Sequence, residues 1–289
     1  MIITILQLGF LYGIVVLGLI ISFRIIGFAD LTMEGSFALG GAVTAIAVSA
    51  GMNPWLAMFL GAICGGLAGF FTAALHCFIK INKLLSGIII LTILYTLNIR
   101  IMGKPNYSVL DYASIFEWCK NGGERLLLIV AIGVSVFMCL KWLLSTKFGL
   151  FMRATGENDV IVLKSGFHPH VFKIDGLVVS NLLIALSGGL LCQFQKFTDV
   201  GMGNGLIVSM LTSLVIGENL VRPTNVPRLL LSALFGSIVI QTVVAVALSL
   251  GINPWDLKLA IGVFLILMMG FQYYRQKGLV SANIGSSFF

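Results

Sequence analysis

Charge is what this 289-residue chain has least of: Asp, Glu, Lys and Arg together make up 10% of it, against about 25% in a soluble domain. With 58% of the residues hydrophobic, that scarcity excludes a molecule wrapped in a water-facing surface. The apolar runs lack period-2 alternation, which excludes a membrane barrel and leaves helices as the structure that satisfies every backbone group in lipid. Cys64, Cys77, Cys119, Cys139 and Cys192 show no CxxC spacing; four sit inside apolar runs, where cysteine behaves as a small hydrophobe, and Cys119 lies alone in a polar loop. Neither a disulfide framework nor a zinc ribbon follows from such a pattern. Of His76, His168 and His170, two form "HPH" with no third ligand nearby, a poor metal site. No GxxxxGK[ST] phosphate loop, HExxH or GxSxG occurs, so neither ATP hydrolysis nor any other covalent chemistry is expected on this chain. The first residues, "MIITILQLGFLYGIVVLGLIISF", have no basic n-region and no clear cleavage site, and read as a retained first span.

What the chain has is greasy length. Nine apolar segments are legible, roughly 3–23, 36–50, 54–79, 84–102, 125–144, 174–194, 205–221, 228–250 and 256–273, most near the ~20 residues that cross a bilayer as a helix. The expected class is an all-α polytopic membrane protein, a single transmembrane domain over residues 1–289. The second and seventh segments are short, and each follows a glycine-containing polar break, as a broken or half helix would. The net charge of +7 is carried by basic residues at span ends, a signal of orientation and not of nucleic acid. An outside N-terminus puts Arg24, Lys80, Lys83, Lys147, Arg153, Lys164, Lys173, Arg222, Arg228, Arg275 and Lys277 in the cytoplasm, leaving Lys104, Lys120, Arg125, Lys196 and Lys258 outside.

The chain also echoes itself. "FADLTMEGS" (28–36) resembles "FTDVGMGNG" (197–205), with Phe, Asp and Met in register, and "GMNPW" at Gly51 recurs as "GINPW" at Gly251. On the expected topology the first pair lies on opposite faces of the membrane, the arrangement of an inverted repeat, which in transporters places the substrate path at the repeat interface.

The longest connection, 145–173, holds "RATGENDVIVLKSG" (153–166). Asn158 is an N-cap candidate, Asp159 a first-turn acid, Lys164 a last-turn base and Gly166 a terminator. They predict one helix of about two turns, with Val160, Ile161, Val162 and Leu163 as its apolar surface. So short a helix is unstable alone in water and needs something to lie against.

The stretch "GLFMRATGENDVIVLKSGF" resembles the cytoplasmic loop of ABC importer permeases of the branched-chain amino acid and ribose permease superfamily. The matching residues are Gly149, Arg153, Ala154, Gly156, Asn158 and Gly166; Val160 to Leu163 are bulkier than the small residue usual there. "FRIIGFADLTMEGSFALGGAV", "LNIRIMGKPN", "FQKFTDVGMGNGLIV" and "LGINPWDLKL" are similar to a subgroup that includes tryptophan- and tyrosine-type transporters, so the likeness covers nearly the whole chain. It implies a homodimer of permeases in the cytoplasmic (inner) membrane, a cytoplasmic ABC ATPase dimer that binds the ATP and Mg, and an extracytoplasmic substrate-binding protein. No cofactor is implied on this chain. The 145–173 loop would be its coupling helix, with Asp159 and Val162 joining the six matching residues at the ATPase contact. The solute implied is small and organic, an amino acid.

Acids beside apolar spans are expensive and tend to be functional. Asp30 and Glu34, with Thr32 and Ser36, suit three roles: capping a helix that begins near Ser36, lining a substrate path, or carrying protons in a secondary transporter, the rival to an ATP-driven importer. Asp199 and Met202 form the matching break of the second half, either a capped solvated loop or a delivery site. Arg100 either snorkels to the surface or, with Asn98, faces the path. Ser180 and Asn181 suit interhelical hydrogen bonds better than substrate contact, and Glu218 suits pairing with Arg222 at i+4.

Overall fold

In the computed structural model, residues 1–253 are described and, past them, 256, 257, 259, 261–264, 266, 267 and 270. Helix α1 (Ile2–Leu19) continues into a wider π-type stretch (Ile20–Ile25). After a short irregular connection come α2 (Thr32–Ser49), α3 (Pro54–Cys77), α4 (Lys83–Met102) and strand β1 (Asn106–Ser108). Then follow α5 (Gly122–Ser145), α6 (Lys147–Glu157), α7 (Asp159–Lys164) and α8 (Pro169–Gln195). Strand β2 (Phe197–Asp199), a 3-10 turn (Val200–Gly203), α9 (Leu206–Val221) and α10 (Val226–Ser249) come after them.

Seven helical stretches among the described residues are long and apolar enough to cross a membrane: Ile2–Ile25, α3, α4, α5, α8, Val200–Val221 and α10. Helix α2, with 18 residues, is about 27 Å long at a rise of about 1.5 Å per residue. The first eight expected segments therefore coincide with helices. The ninth falls largely outside the described residues, as do Lys258, Arg275, Lys277 and the tail beyond them. The chain divides into two compact units, Met1–Thr242 and Val243–Phe289; the second holds the last turns of α10, and the sites described below lie in the first.

Local chemistry sets the helix ends. The side chains of Asn53 and Asn82 accept hydrogen bonds from the Trp55 and Leu84 N–H groups, each at 3.0 Å, and Pro54 fills the first position of α3, where its missing N–H costs nothing. Each of the "NPW" sequences follows the same helix stop. Gly51 adopts a φ of +82° while the Met52 N–H reaches back to the Ala47 carbonyl (3.0 Å). Gly251 adopts +84° while the Ile252 N–H reaches the Ala247 carbonyl (3.2 Å). Both are Schellman caps, which need a residue tolerant of the left-handed region.

The centre of the first unit is the trio α2, α3 and α8, each packed on the other two. Between lipid-embedded helices there is no hydrophobic drive to associate, so close van der Waals contact between small residues must hold them. A Cβ on Gly40 would lie 1.9 Å from the Ala185 carbonyl oxygen, and one on Gly188 would lie 2.0 Å from that of Phe37. The α2 and α8 backbones thus touch at a distance only glycine permits.

The bundle has two ends. At one, β1 pairs antiparallel with β2, Asn106 opposite Asp199, and Gln193 donates to the Pro54 carbonyl (2.9 Å) while accepting from the Ile115 N–H (2.9 Å). At the other lie α6, α7 and a set of basic groups: Lys83 Nζ donates to the Gly27 carbonyl (2.9 Å), and Arg24 clasps Glu218 through two guanidinium nitrogens. The expected pairing of Glu218 with Arg222 is therefore corrected. Arg222 sits in the left-handed region at φ +48° as the C-cap of α9, which takes it off the helix surface that an i+4 pair requires, and Arg24 occupies the carboxylate instead.

Candidate functional site: a helix junction and a seated surface helix

The two echoing breaks approach from opposite ends and meet. In the first, Asp30 Oδ1 accepts the Thr32 N–H at 2.8 Å; in the second, Asp199 Oδ1 accepts the Gly201 N–H at 2.7 Å. The same aspartate turn thus starts α2 and the 3-10 turn before α9, one running from the α6–α7 end and the other from the β1–β2 end. The "NPW" echo does not share this register, because α9 and α10 both lie between the second break and its copy whereas α2 alone lies between the first break and its own.

The meeting point is Glu34. Its carboxylate accepts the N–H groups of Gly205 (2.9 Å) and Ile207 (3.3 Å), capping α9 from a different helix. Gly203 lies so close that a Cβ would be 2.0 Å from the Glu34 carbonyl oxygen. Helix α2 begins at Thr32, four residues earlier than the sequence suggested, so Glu34 and Ser36 lie inside its first turns and do not cap it. Asp30 initiates α2, and Ser36 Oγ instead donates to Asn181 Oδ1 (2.7 Å).

Asp30 is fully buried. Its Oδ2 accepts from Asn181 Nδ2 (2.7 Å), Asn181 also donates to the Leu177 carbonyl (3.0 Å), and Thr32 shares a hydrogen bond with Thr72 of α3 (2.7 Å). One polar network therefore joins α2, α3 and α8. No cation appears among these partners, and burial pushes the Asp30 carboxyl above its ordinary value against the pull of the Asn181 and Thr32 hydrogen bonds. Among the described residues no cluster of three His, Cys, Asp or Glu could hold a metal. Nearby, Asn98 is buried and donates to the Gly35 carbonyl (3.3 Å) while its own oxygen has no hydrogen-bond partner. Arg100 is exposed on α4. Met202 takes a hydrogen bond from Thr198 on its sulfur (3.2 Å).

At the α6–α7 end, Asn158 Oδ1 accepts the Val160 N–H (2.9 Å) and Gly166 closes α7 at φ +83°, with the Phe167 N–H returning to the Val162 carbonyl (3.2 Å). Val162 is fully buried, whereas Val160, Ile161 and Leu163 are about half exposed. The helix is pinned by Asp159, whose Oδ2 accepts from Lys173 Nζ at 2.5 Å; the lysine side chain is only 8% exposed and the aspartate 44%. Gly149 makes the sharp turn from α5 into α6, where a Cβ would lie 2.4 Å from Leu144 Cα. Ala154 and Arg153 are half-buried on α6, Arg153 donating to the Gly149 carbonyl (3.4 Å). Gly156 presses on the end of the first span, where a Cβ would be 1.9 Å from the Ile25 carbonyl oxygen.

Sequence reading missed three parts of this seat. They are helix α6, the hold of Lys173 on Asp159, and the ring cluster of Phe148, Phe151, Phe167 and Phe172, with centroids 4.7–6.2 Å apart. Its one sequence signal is a phenylalanine pair on each side of the short helix.

A many-span helical protein with interrupted helices meeting at its centre and a locked helix outside the spans is built as a membrane permease. The chain matches the family described as branched-chain amino acid transport system / permease component over residues 1–270, and it belongs to that family. It is 34% identical over 271 residues to a "Tyrosine transport system permease protein" of Clostridioides difficile (strain R20291), covering 93% of this chain and 90% of that one. It is 30% identical over 258 residues to "Uncharacterized protein RP368" of Rickettsia prowazekii (strain Madrid E), covering 88% and 91%. No solved structure gives a significant match. The chain is thus a multi-pass membrane protein and a permease component of a transport system.

Proposed function

We propose that this chain is the membrane-spanning subunit of a binding-protein-dependent ABC importer for an amino acid, tyrosine or a similar aromatic one being the first candidate. It would work in the cytoplasmic membrane as a pair of identical copies, with ATP and Mg bound by a separate ATPase dimer and solute delivered by an extracytoplasmic binding protein at the β1–β2 end. The observation that carries this reading is α7. Outside the spans, a six-residue helix presents Val160, Ile161 and Leu163 outward while Val162 and the Asp159–Lys173 pair fix it to the bundle. A rigidly held apolar surface in a polar region fits a protein partner.

The same geometry supplies a route for movement. Displacing α7 pulls on Lys173 in the first turns of α8; two turns on, Asn181 of α8 grips Asp30 and Ser36 at the start of α2. From there Glu34 holds the start of α9. Gly149, Ala154, Gly156, Asn158 and Gly166 shape the α6–α7 seat, while Thr32, Asn98, Arg100, Asp199 and Met202 surround or flank the junction the solute would pass. Burial of Asp30 favours a second reading, a proton-driven carrier. Proteoliposomes separate the two: the importer takes up labelled tyrosine only when ATP, the ATPase and the binding protein are all supplied. Uptake by the chain alone on a proton gradient would overturn the importer.

A further inference from the structure

A second feature of the α6–α7 end serves neither the junction nor the α7 surface. Between the last turn of α5, helix α6 and the connection from α9 to α10 lies a cleft of about 600 Å³, with Lys141, Ser145, Arg153, Thr224, Asn225 and Pro227 among the residues lining it. Two of its walls are cationic and none is acidic. Neither Lys141 nor Arg153 forms an ion pair among the described residues, and the Arg153 hydrogen bond to Gly149 uses only Nε. A third cation stands beside it, since Arg228 Nη1 donates to Thr224 Oγ1 at 2.9 Å. The N-terminus of α10, a helix of 24 residues, opens at Val226 on the same cleft and adds its partial positive charge. The remaining wall is apolar: Leu144, Pro223, Val226 and Leu229.

Position decides what fits. The cleft lies where α5 ends at Ser145 and α10 begins at Val226, so it is level with the headgroups of whatever bilayer those spans cross. Trp142, beside Lys141 on α5, stands largely exposed at 69%, as an interfacial anchor does.

 Basic pockets of this kind between spans on a membrane face suit anionic lipid headgroups. We propose that the cleft binds the phosphate of an anionic glycerophospholipid, Lys141 and Arg153 neutralising it and the apolar wall receiving the glycerol and first methylenes. This inference needs only that the chain spans a membrane; it assigns Arg153 to the lipid and leaves the exposed side of α7 as the ATPase contact of the importer reading.

The test uses the full chain, purified in mild detergent and analysed by native mass spectrometry after incubation with phosphatidylglycerol or phosphatidylcholine of equal chain length. Phosphatidylglycerol should be retained at about one per chain in preference to phosphatidylcholine. Lys141→Gln with Arg153→Gln should weaken retention about tenfold or more, while Arg153→Lys should keep most of it and Lys104→Gln, at the β1–β2 end, all of it. A thermal melt of each variant separates loss of the site from loss of the fold. Equal retention of the two lipids, or unchanged retention in a folded double variant, would overturn the proposal. So would displacement by millimolar inorganic phosphate, which marks a free-anion site, or cross-linking of Arg153→Cys to a co-purified subunit, which marks a protein contact.

Discussion

Two glycines flank α7, and the structure separates them sharply. At Gly156 a Cβ would stand 1.9 Å from the Ile25 carbonyl oxygen and 2.9 Å from the Ile25 carbonyl carbon. Both are backbone atoms of the first span, so no rotamer change relieves the clash, and Gly156→Ala forces the end of α6 outward by roughly 1 Å or more. Overpacking of that kind costs about 1–3 kcal/mol, which depletes the seated arrangement of α6 and α7 by a factor of about 5 to 150. At Gly166 nothing lies within 4 Å of the added atom, and only the φ of +83° resists it. Gly166→Ala should cost about 1 kcal/mol from the left-handed backbone, and Gly166→Asn less. The assay is ATP hydrolysis stimulated by loaded binding protein, in liposomes holding the chain and its ATPase. Gly156→Ala should lose most of the stimulation while remaining monodisperse, whereas Gly166→Asn should stay near the parent. Full stimulation in Gly156→Ala, or a Gly166→Asn variant as impaired as it, would refute the reasoning.

At the junction, Glu34→Ala removes the acceptor for two N–H groups of α9 and should lower thermal stability by about 1–2 kcal/mol; Glu34→Gln, which keeps a carbonyl oxygen, should lose less, and an equal loss in the two would remove the capping role. Asp30→Asn should leave ATP-driven uptake largely intact, because it keeps the oxygen that accepts the Thr32 N–H and leaves the Ser36–Asn181 bond in place, whereas a proton carrier would lose transport altogether. A raised carboxyl pKa means that the folded state holds a proton the unfolded chain releases, so stability is greatest below the ordinary carboxylate range and falls as pH rises through the value of the folded state. Melting temperatures measured against pH should show that fall in the parent and a flatter profile in Asp30→Asn.

The parts of the fold that were legible in the sequence are those decided by neighbours in the chain. Apolar length marked the spans, and Asn158, Asp159, Lys164 and Gly166 bounded α7 because a cap is a contact within a few residues. What escaped was decided from far along the chain. Glu34 caps a helix whose first residues lie 171 and 173 positions away, and the Arg24–Glu218 clasp spans 194, so the near partner Arg222 was the natural but mistaken choice. Helix α6 was hidden because "KFGLFMRATGE" is only eleven residues long and carries two glycines; Phe148 and Phe151 hold it by packing on Phe167 and Phe172. The three-residue strands β1 and β2 are too short for any alternation to register.

The most direct test of the importer reading is site-specific photo-cross-linking in native membranes, with the photoreactive residue at Ile161 on the exposed side of α7 and, as the reference, at Tyr107 in β1. An adduct with a nucleotide-hydrolysing subunit from Ile161, and none from Tyr107, is the predicted result. No adduct from Ile161 in a chain that still transports, or an ATPase adduct from Tyr107 instead, would contradict it.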